Sequence, residues 1–339
     1  MLKYITKRIL LLMVTLFVIM MVSYFLLRLA PGDPSKASLF DNGSGQNLSS
    51  EKSELIQNQS LRDKLYLDKP PIIGFGYWIK GVVLEFDFGD SASVDKGRPV
   101  TDLIIEKLPV TLKLNIFALI VVYLFAIPIG IFSAITTKKK LDKVITFTLF
   151  VLYSLPAFWL ALVLQATFCE GGLYPIFPLK GIVAEDKVGI STFQYLWNSV
   201  MHYALPVICL SYSGLAGLSR YAKTGMQDII SQDYIRTARA KGLSERVVIF
   251  KHAFMNSLIL LITLFAGLLP GLIGGSIIIE YIFSIPGMGT LSMIALTSRD
   301  IPLLMALFSF GSILTLLGIL LSDLLYVIVD PRITFDSQI

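Results

Sequence analysis

Six stretches of the chain are almost entirely apolar, and each is long enough to cross a bilayer as a helix, which takes about 20 residues. They are Ile9–Leu27, Leu114–Ile135, Val144–Phe168, Ser199–Ser219, Ala253–Ile279 and Pro302–Val329. Transmembrane strands are excluded because these stretches are too long and do not alternate between apolar and polar residues. The pattern predicts an all-α, multi-spanning membrane protein with six transmembrane helices.

The composition supports this interpretation. Of the 339 residues, 55% are hydrophobic and 16% are charged, and the mean hydropathy is +0.72. Soluble domains carry about 45–50% apolar and about 25% charged residues. A soluble fold, a disordered chain and a disulfide-rich scaffold are therefore excluded. The net charge of +5 is attributed to the cytoplasmic face of a membrane protein rather than to nucleic-acid binding.

The first apolar stretch is interpreted as an uncleaved anchor. A cleaved signal peptide is the alternative, but its apolar core has about 7–15 residues and ends at a small-residue cleavage site. Ile9–Leu27 is longer, and Arg28 and Pro31 follow it.

The basic residues predict the orientation. If both termini are inside, the inner segments 1–8, 136–143, 220–257 and 330–339 carry 15 of the 29 lysines and arginines. Apart from the long segment 28–108, which counts little in this rule, the outer side then has only Lys180, Lys187 and Arg299. Because basic residues collect in short cytoplasmic loops, the sequence predicts an N-in, C-in topology.

Four parts of the chain are predicted. Residues 1–30 form the N-terminal transmembrane helix, and 31–108 an extracytoplasmic segment with a polar insert at 41–60. Residues 109–333 form a five-helix core, and 334–339 a C-terminal tail. Within the core, the polar stretch 220–257 is predicted to contain a helix over Asp228–Lys241, a turn at Gly242 and a second helix N-capped by Ser244.

No catalytic, metal or cofactor site is predicted in this chain. There is no G-x-x-x-x-G-K-[ST] loop for nucleotide phosphates and no H-E-x-x-H zinc motif. His202 and His252 are fifty residues apart, and Cys169 and Cys209 are interpreted as buried apolar residues. A membrane enzyme is therefore disfavoured.

One acid inside a predicted span, Asp323, is a candidate residue of a transport pathway, since intramembrane acids are often functional. A structural role close to the inner face is the alternative. A carrier driven by protons or sodium usually needs buried carboxylates near the midplane, and a single off-centre acid suggests that the energy comes from elsewhere.

Several motifs together resemble those of ABC importer permeases, and most closely the B-type permease subunit of the dipeptide, oligopeptide and nickel subfamily. The central one is Asp233-Tyr-Ile-Arg-Thr-Ala-Arg-Ala-Lys-Gly-Leu-Ser244, which resembles the cytoplasmic EAA loop of this family. The others, in chain order, are Leu29-Ala-Pro-Gly-Asp-Pro34, Phe86-Asp-Phe-Gly-Asp-Ser91, Arg98-Pro-Val100, Leu108-Pro-Val-Thr-Leu-Lys-Leu114, Glu280-Tyr-Ile-Phe-Ser-Ile-Pro-Gly-Met-Gly289, Arg299-Asp-Ile-Pro302 and Asp330-Pro-Arg332.

The resemblance implies a type I importer permease fold and a set of partners. These are a second, homologous permease subunit, two cytoplasmic ATPase subunits that bind ATP-Mg, and an extracytoplasmic solute-binding protein, all assembled at a bacterial inner membrane. The inner loop would then be a coupling helix that docks on an ATPase. Its residues are Tyr234, Ile235, Arg236, Thr237, Ala238, Arg239, Ala240, Lys241, Gly242 and Leu243. Tyr234, Ile235, Ala238 and Leu243 are expected to seat the helix. A helix lying on anionic lipid headgroups is the alternative.

The resemblance also implies an outer gate. The segment 284–300 is expected to dip back as a short helix beginning at Pro286-Gly287, and Glu280, Pro286, Gly287 and Gly289 are the gate candidates. The transported solute is expected to be a dipeptide or oligopeptide. Nickel or another small chelate is the alternative within the same architecture, and a stand-alone secondary transporter or channel is the alternative outside it.

Overall fold

The computed structural model describes residues 2–29, 66, 68–136, 138–179, 181–182, 191–268 and 276–329. In these residues the secondary structure is helical apart from two isolated β-bridges, Asp90–Pro99 and Cys169–Phe177. The helices are α1 Leu2–Leu29, α2 Pro71–Glu85, α3 Val100–Ile135, α4 Lys139–Ser154, α5 Ala157–Phe168, α6 Thr192–Ile230, α7 Asp233–Ala240, α8 Glu245–Val247, α9 Met255–Leu268, α10 Ile277–Ile282, α11 Met288–Thr297 and α12 Ile301–Val329. A π-helical segment, Val248–Phe254, joins α8 to α9.

In the described part of the chain, four helices are long and apolar enough to cross a membrane. Their crossing segments are Thr6–Leu29, Val100–Ile135, Thr192–Ile230 and Ile301–Leu324. They contain the whole of the first, second and fourth predicted spans and most of the sixth. Helices α3 and α6 are much longer than the predicted spans, because the helix continues through the residues before Leu114 in α3 and through those on both sides of 199–219 in α6.

The third predicted span is two helices rather than one. The axes of α4 and α5 differ by 95° at Leu155–Pro156. Proline restricts the preceding residue to extended conformations, and Leu155 has φ −77° and ψ 133°. Pro206 lies inside α6 without ending it, so a proline in an apolar stretch does not by itself determine where a helix stops.

The fifth predicted span falls only partly within the described residues. Helix α9 is 14 residues long and α10 is six, and 269–275 lie outside the described residues. The same holds for the polar insert 41–60 and the tail 334–339. The helical path into this span begins at Glu245, eight residues before the predicted start.

Clustering of the backbone contacts divides the chain into two compact units. The first unit is Met1–Pro109 with Gly287–Leu317, and the second is Val110–Pro286 with Gly318–Ile339.

An aromatic cluster forms part of the core of the first unit. Phe75 and Trp78 on α2 are buried, and Tyr24 on α1 lies against both, with ring centroids 5.7 and 6.0 Å away. The first half of α12 completes this core with Leu303, Leu304, Met305, Ala306 and Leu307. The aromatic residues of α2 therefore pack against the first transmembrane helix.

The carboxylate of Asp300 organises the segment between α2 and α3. Asp300 is fully buried. Its Oδ2 accepts hydrogen bonds from Ser91 Oγ at 2.6 Å, from Ser93 N at 2.9 Å and from Val94 N at 3.1 Å. Its Oδ1 accepts one from Leu303 N at 3.2 Å and so caps α12. Two of the sequence motifs, Phe86–Ser91 and Arg299–Pro302, meet at this side chain.

Helix α6 lies at the centre of the second unit and contacts α4, α5 and α9. Small residues allow close approach to α3, since a Cβ on Gly130 would lie 2.5 Å from Ala222 Cβ and 2.7 Å from Ser219 O. Any side chain at Gly130 would therefore force α3 and α6 apart, as expected where small residues pack transmembrane helices.

Candidate functional site

The candidate coupling helix is α7, and it begins five residues later than predicted. Asp228 belongs to the last turn of α6. The Ser231 hydroxyl and the Gln232 side-chain amide both donate to Asp228 O, at 2.8 and 3.3 Å. Gln232 then takes an extended ψ of 149° and α7 starts at Asp233. Hydrogen bonds from these side chains to the backbone compete with the helix, and the spacing of apolar residues does not reveal them.

Two side chains attach α7 to the rest of the chain. Ile235 has 0% of its surface exposed and Ala238 has 7%. They pack in a cluster with Met226 of α6, Ile131 of α3, and Val248 and Ala253 of the π-helical segment. Ile235 and Ala238 therefore face the interior of this chain, where their side chains are buried.

The remaining predicted docking residues are exposed. Tyr234 and Leu243 are 45% and 41% exposed. The other members of this set are Arg236, Thr237, Arg239, Ala240, Lys241 and Gly242. The helix thus has one apolar side fixed inside the chain and a polar side, with two large apolar residues at its ends, open to a partner.

Gly242 closes α7 with a left-handed turn. Its φ is +78°. The amide of Leu243 donates to Ala238 O at 3.4 Å and the amide of Gly242 donates to Arg239 O at 2.9 Å. This pair of bonds is the Schellman arrangement, which needs a positive φ and so favours glycine. A Cβ on Gly242 would have no heavy atom within 4 Å, so the turn conformation, rather than a close neighbour in this chain, accounts for the glycine.

The charges of α7 are partly neutralised within the chain. Arg239 donates two hydrogen bonds to the carboxylate of Glu245, Nη2–Oε1 at 2.7 Å and Nε–Oε2 at 3.2 Å. The bond from Arg239 lowers the pKa of Glu245, and the same contact raises the pKa of Arg239. Arg236 lies 3.3 Å from Asp233. Lys241 has no acidic partner within the described residues, which leaves it the least compensated charge of this helix.

A polar contact joins three helices, α3, α4 and α6. The Lys223 ammonium of α6 lies 2.5 Å from the Asp142 carboxylate of α4. The Ser133 hydroxyl of α3 donates to the same carboxylate oxygen. Sequence reasoning placed Lys223 and Asp142 in or next to inner loops and missed their pairing, because 81 residues separate them.

The second unit contains a cavity of about 800 Å³ next to this contact. Its walls come from α3, α4, α6 and α9. The polar side chains in the lining are Ser133, Thr146, Ser219, Arg220, Lys223, Thr224 and Gln227. A cavity of this size lies within the usual range for small-molecule sites, about 300–1,000 Å³.

The gate candidates fall in both units. In the second unit, Glu280 is fully buried on α10 and accepts a hydrogen bond from the Thr111 hydroxyl at 2.9 Å. Pro286 is partly buried. In the first unit, Gly287 is the N-cap of α11 and Gly289 is buried in its first turn. The predicted short helix is thus present as α11, whereas its gate function stays a prediction.

Asp323 is partly buried in the second half of α12, and its pathway role also stays a prediction. Both thiols, Cys169 and Cys209, are free and buried. Within the described ranges, no group of three His, Cys, Asp or Glu side chains is arranged to hold a metal ion.

Comparison with known proteins places the chain in a family. Residues 126–335 match the family described as "Binding-protein-dependent transport system inner membrane component", and residues 1–115 match its N-terminal companion family. The chain is 36% identical over 332 residues to "Oligopeptide transport system permease protein AppB" of Bacillus subtilis, covering 98% of this chain and 99% of that protein.

Two further relatives are similar over almost their whole length. "Dipeptide transport system permease protein DppB" of Alkalihalophilus pseudofirmus is 33% identical, with 99% of this chain and 100% of that protein covered. "Peptidoglycan transport system permease protein YejB" of Agrobacterium fabrum is 32% identical, with 99% of each covered. Both family matches and these full-length similarities agree with the apolar helices of the fold. The chain therefore belongs to the family of binding-protein-dependent transport system inner membrane components, and it is an ABC transporter permease of the bacterial inner membrane.

Proposed function

We propose that this chain is one of two permease subunits of an ATP-driven peptide importer. In this proposal it has six transmembrane helices in the type I importer arrangement, with both termini in the cytoplasm. It forms half of the translocation pathway, and a second, homologous permease forms the other half. Two ATPase subunits bind ATP-Mg and drive the cycle, and an extracytoplasmic binding protein delivers the solute. The printed names of the full-length relatives favour a peptide as that solute.

The observation that carries the proposal is the two-sided construction of α7. Ile235 and Ala238 fix one side to the inner ends of α3 and α6 and to the π-helical segment, so a displacement of α7 is transmitted to these helices. The other side exposes Tyr234, Lys241 and Leu243. An amphipathic helix of this kind fits a groove on a partner protein. A push or pull by an ATPase would then shift the permease between two states.

An exposed apolar face on α4 supports the second permease subunit of this proposal. No residue of α4 is buried, and its Phe147, Phe150 and Tyr153 are each about two-thirds exposed. Apolar faces suit lipid as well as protein, and aromatic residues are enriched at protein interfaces. The proposed heterodimer would cover part of this face.

The coupling role is tested at Gly242. Asp and Asn both tolerate a left-handed φ better than other residues, and a Cβ at this site meets open space. Gly242→Asp and Gly242→Asn are therefore expected to insert and fold normally. If an ATPase docks here, both variants should capture less ATPase in co-purification, and the Asp variant should lose at least about ten-fold, equivalent to about 1.4 kcal/mol.

Gly171→Asp is the matched control, because Gly171 also has a positive φ, +87°, and no heavy atom near its would-be Cβ. This variant should capture the ATPases as the wild type does. Normal ATPase capture and normal uptake by Gly242→Asp would show that α7 is not the coupling helix.

The substrate is tested with the assembled complex in proteoliposomes. ATP-dependent uptake of labelled di- to hexapeptides, unaffected by excess nickel, is the expected result. Uptake of nickel or of a chelate in place of peptides would show that the complex is a metal or chelate importer with the same architecture. Uptake by this chain alone, without ATPase subunits, would contradict an ABC importer.

A further inference from the structure

Three polar residues share one face in the last third of α6. Arg220, Thr224 and Gln227 lie three or four residues apart, so they project from the same side, and all three are exposed. We refer to them as the α6 polar face. The opposite side buries Ala222, Gly225 and Met226. The polar face therefore points away from the packed core of the chain.

The surroundings of the α6 polar face form the 800 Å³ cavity. All three residues line it, and Leu149, Phe150 and Tyr153 of α4 are among the apolar residues across from them. Ten residues, or about 15 Å of helix, separate Arg220 from the end of α6. Arg220 therefore lies within helix α6 and not in the loop 220–257 that the sequence predicted.

The charge of the cavity is not balanced within the described residues. Two cationic side chains line it, Arg220 and Lys223. Lys223 is neutralised by Asp142 at 2.5 Å. The guanidinium of Arg220 has no hydrogen-bond or ion-pair partner in the part of the chain that the structure describes. The cavity therefore carries one net positive charge at Arg220.

A guanidinium on the wall of a cavity can bind an acidic group that enters the cavity. Guanidinium is also the side-chain group best suited to bind a carboxylate, because its planar donors match the two carboxylate oxygens. Every free peptide carries one group of this kind at its C-terminus, whatever its sequence. A single cation in a weakly polar cavity fits a solute whose side chains vary and whose carboxylate does not.

We propose that Arg220 binds the C-terminal carboxylate of a peptide as it passes through this cavity. This inference rests on the proposed function and adds to it a specificity-determining residue and the chemical group that it recognises. The hydroxyl and amide of Thr224 and Gln227 supply further hydrogen bonds to the same end of the solute. The alternative occupant of Arg220 is an acidic side chain of the second permease, and the experiment distinguishes the two.

The test compares trialanine with trialanine amide in the complete complex, reconstituted with its binding protein. Arg220→Gln removes the charge, Arg220→Lys keeps it, and Lys140→Gln removes a charge from an exposed site outside the cavity. The ratio of variant to wild-type uptake is taken for each peptide separately, so that preferences of the binding protein cancel. Arg220→Gln should lower this ratio about ten-fold for the free acid and leave it near one for the amide. Arg220→Lys should retain most uptake, and Lys140→Gln all of it.

A second measurement does not depend on transport of the amide. Saturation-transfer NMR on the purified complex without binding protein should detect trialanine on the wild type, with a signal at least several-fold weaker on Arg220→Gln. ATPase co-purification and melting temperature report whether the variant is assembled and folded.

Equal losses for acid and amide, or reduced assembly of Arg220→Gln, would identify a structural pairing with the second permease and overturn the carboxylate site. Equal NMR signals on both proteins would overturn it as well. A wild-type complex that imports no peptide would instead contradict the proposed function, and the carboxylate site would fall with it.

Discussion

Asp300 and Ile235 each hold a short polar segment in place, and they do so by different forces. Asp300 accepts four hydrogen bonds from buried or partly buried donors and ties the segment 86–99 to the start of α12. Ile235, with Ala238, holds α7 by apolar packing alone, while most of the polar side chains of α7 remain exposed.

This difference matches what each segment leaves available to other molecules. The segment 86–99 uses the backbone amides of Ser93 and Val94 and the Ser91 hydroxyl for bonds inside its own unit. Helix α7 keeps its charges and two large apolar side chains, Tyr234 and Leu243, exposed on the surface of this chain, where the proposed ATPase would bind. A buried hydrogen-bonded carboxylate gives one arrangement, since each lost bond leaves a buried donor unsatisfied. A small apolar anchor fixes position but leaves the opposite face free.

The largest effect is expected from Asp300→Ala. It leaves the donors of Ser91, Ser93, Val94 and Leu303 without their acceptor, which should lower the free energy of unfolding by about 4 kcal/mol. Asp300→Asn keeps the shape and should lose about half as much. Chemical denaturation of the purified protein in detergent micelles measures both.

The control for this experiment is Asp95→Asn. Asp95 is an exposed acid of the same segment whose ion pair with Arg98 spans 3.5 Å, and such pairs contribute less than about 1 kcal/mol. If Asp300→Ala and Asp95→Asn had equal free energies of unfolding, the buried carboxylate of Asp300 would not be what holds the segment 86–99.

Ile235→Ala should have the next largest effect. Truncating a buried isoleucine leaves a cavity and costs about 3 kcal/mol, here concentrated in the attachment of α7. Hydrogen exchange of the peptide covering 233–243 should accelerate, and ATP-driven uptake should fall because movements of α7 are no longer transmitted. Tyr234→Ala, at the exposed neighbouring position, should leave exchange unchanged and reduce only ATPase capture. Faster exchange in the Tyr234 variant would mean that α7 is held from both sides.

The smallest effect is expected at the pair of Arg239 and Glu245. The hydrogen bond from Arg239 lowers the pKa of Glu245, so the pair stabilises the turn above the ordinary glutamate pKa, roughly 4.3. This stabilisation is lost as the pH falls through the lowered value. Glu245→Gln should therefore accelerate hydrogen exchange around Gly242 at pH 7 by an amount equivalent to less than about 1 kcal/mol, because both side chains are largely exposed.

At a pH below the lowered pKa, exchange in the wild type, corrected for the intrinsic rate, should match that of Glu245→Gln. A difference that persists at low pH would show that the ion pair is not what holds the turn.

The turn at Gly242 was predictable because glycine is the usual residue for a left-handed helix end. Two other helices end in the same arrangement without it. Ser284 and Arg299 both have φ +52°, and the amides that follow them donate back to Glu280 O and Ala295 O at 2.8 and 2.9 Å. Their local sequence does not predict these turns, because neither has a glycine at the left-handed position. The surrounding packing imposes a left-handed conformation that serine and arginine adopt at some cost.

The candidate coupling helix was likewise predictable only in part. Its position in the chain and its charged residues followed from the polar stretch between apolar spans and from the motif 233–244. Which of its apolar residues are buried within the chain did not, because Ile235 and Tyr234 are adjacent and both were expected to seat the helix on a partner. Only the packing of α7 separates them, and this packing includes Ile131 of α3, which lies about 100 positions before Ile235.

The sequence by itself determined that this protein lies in a membrane, and it determined the family. An excess of apolar residues in runs of bilayer length leaves no alternative to membrane helices, and the order of the short motifs identifies the permease. Tertiary structure decided where the charges end up. Asp300 meets Ser91 across 209 residues and Lys223 meets Asp142 across 81, whereas Arg220 is left facing a cavity. Such pairings depend on which helices pack together, and the packing energy is a sum over contacts between distant parts of the chain that no local pattern contains.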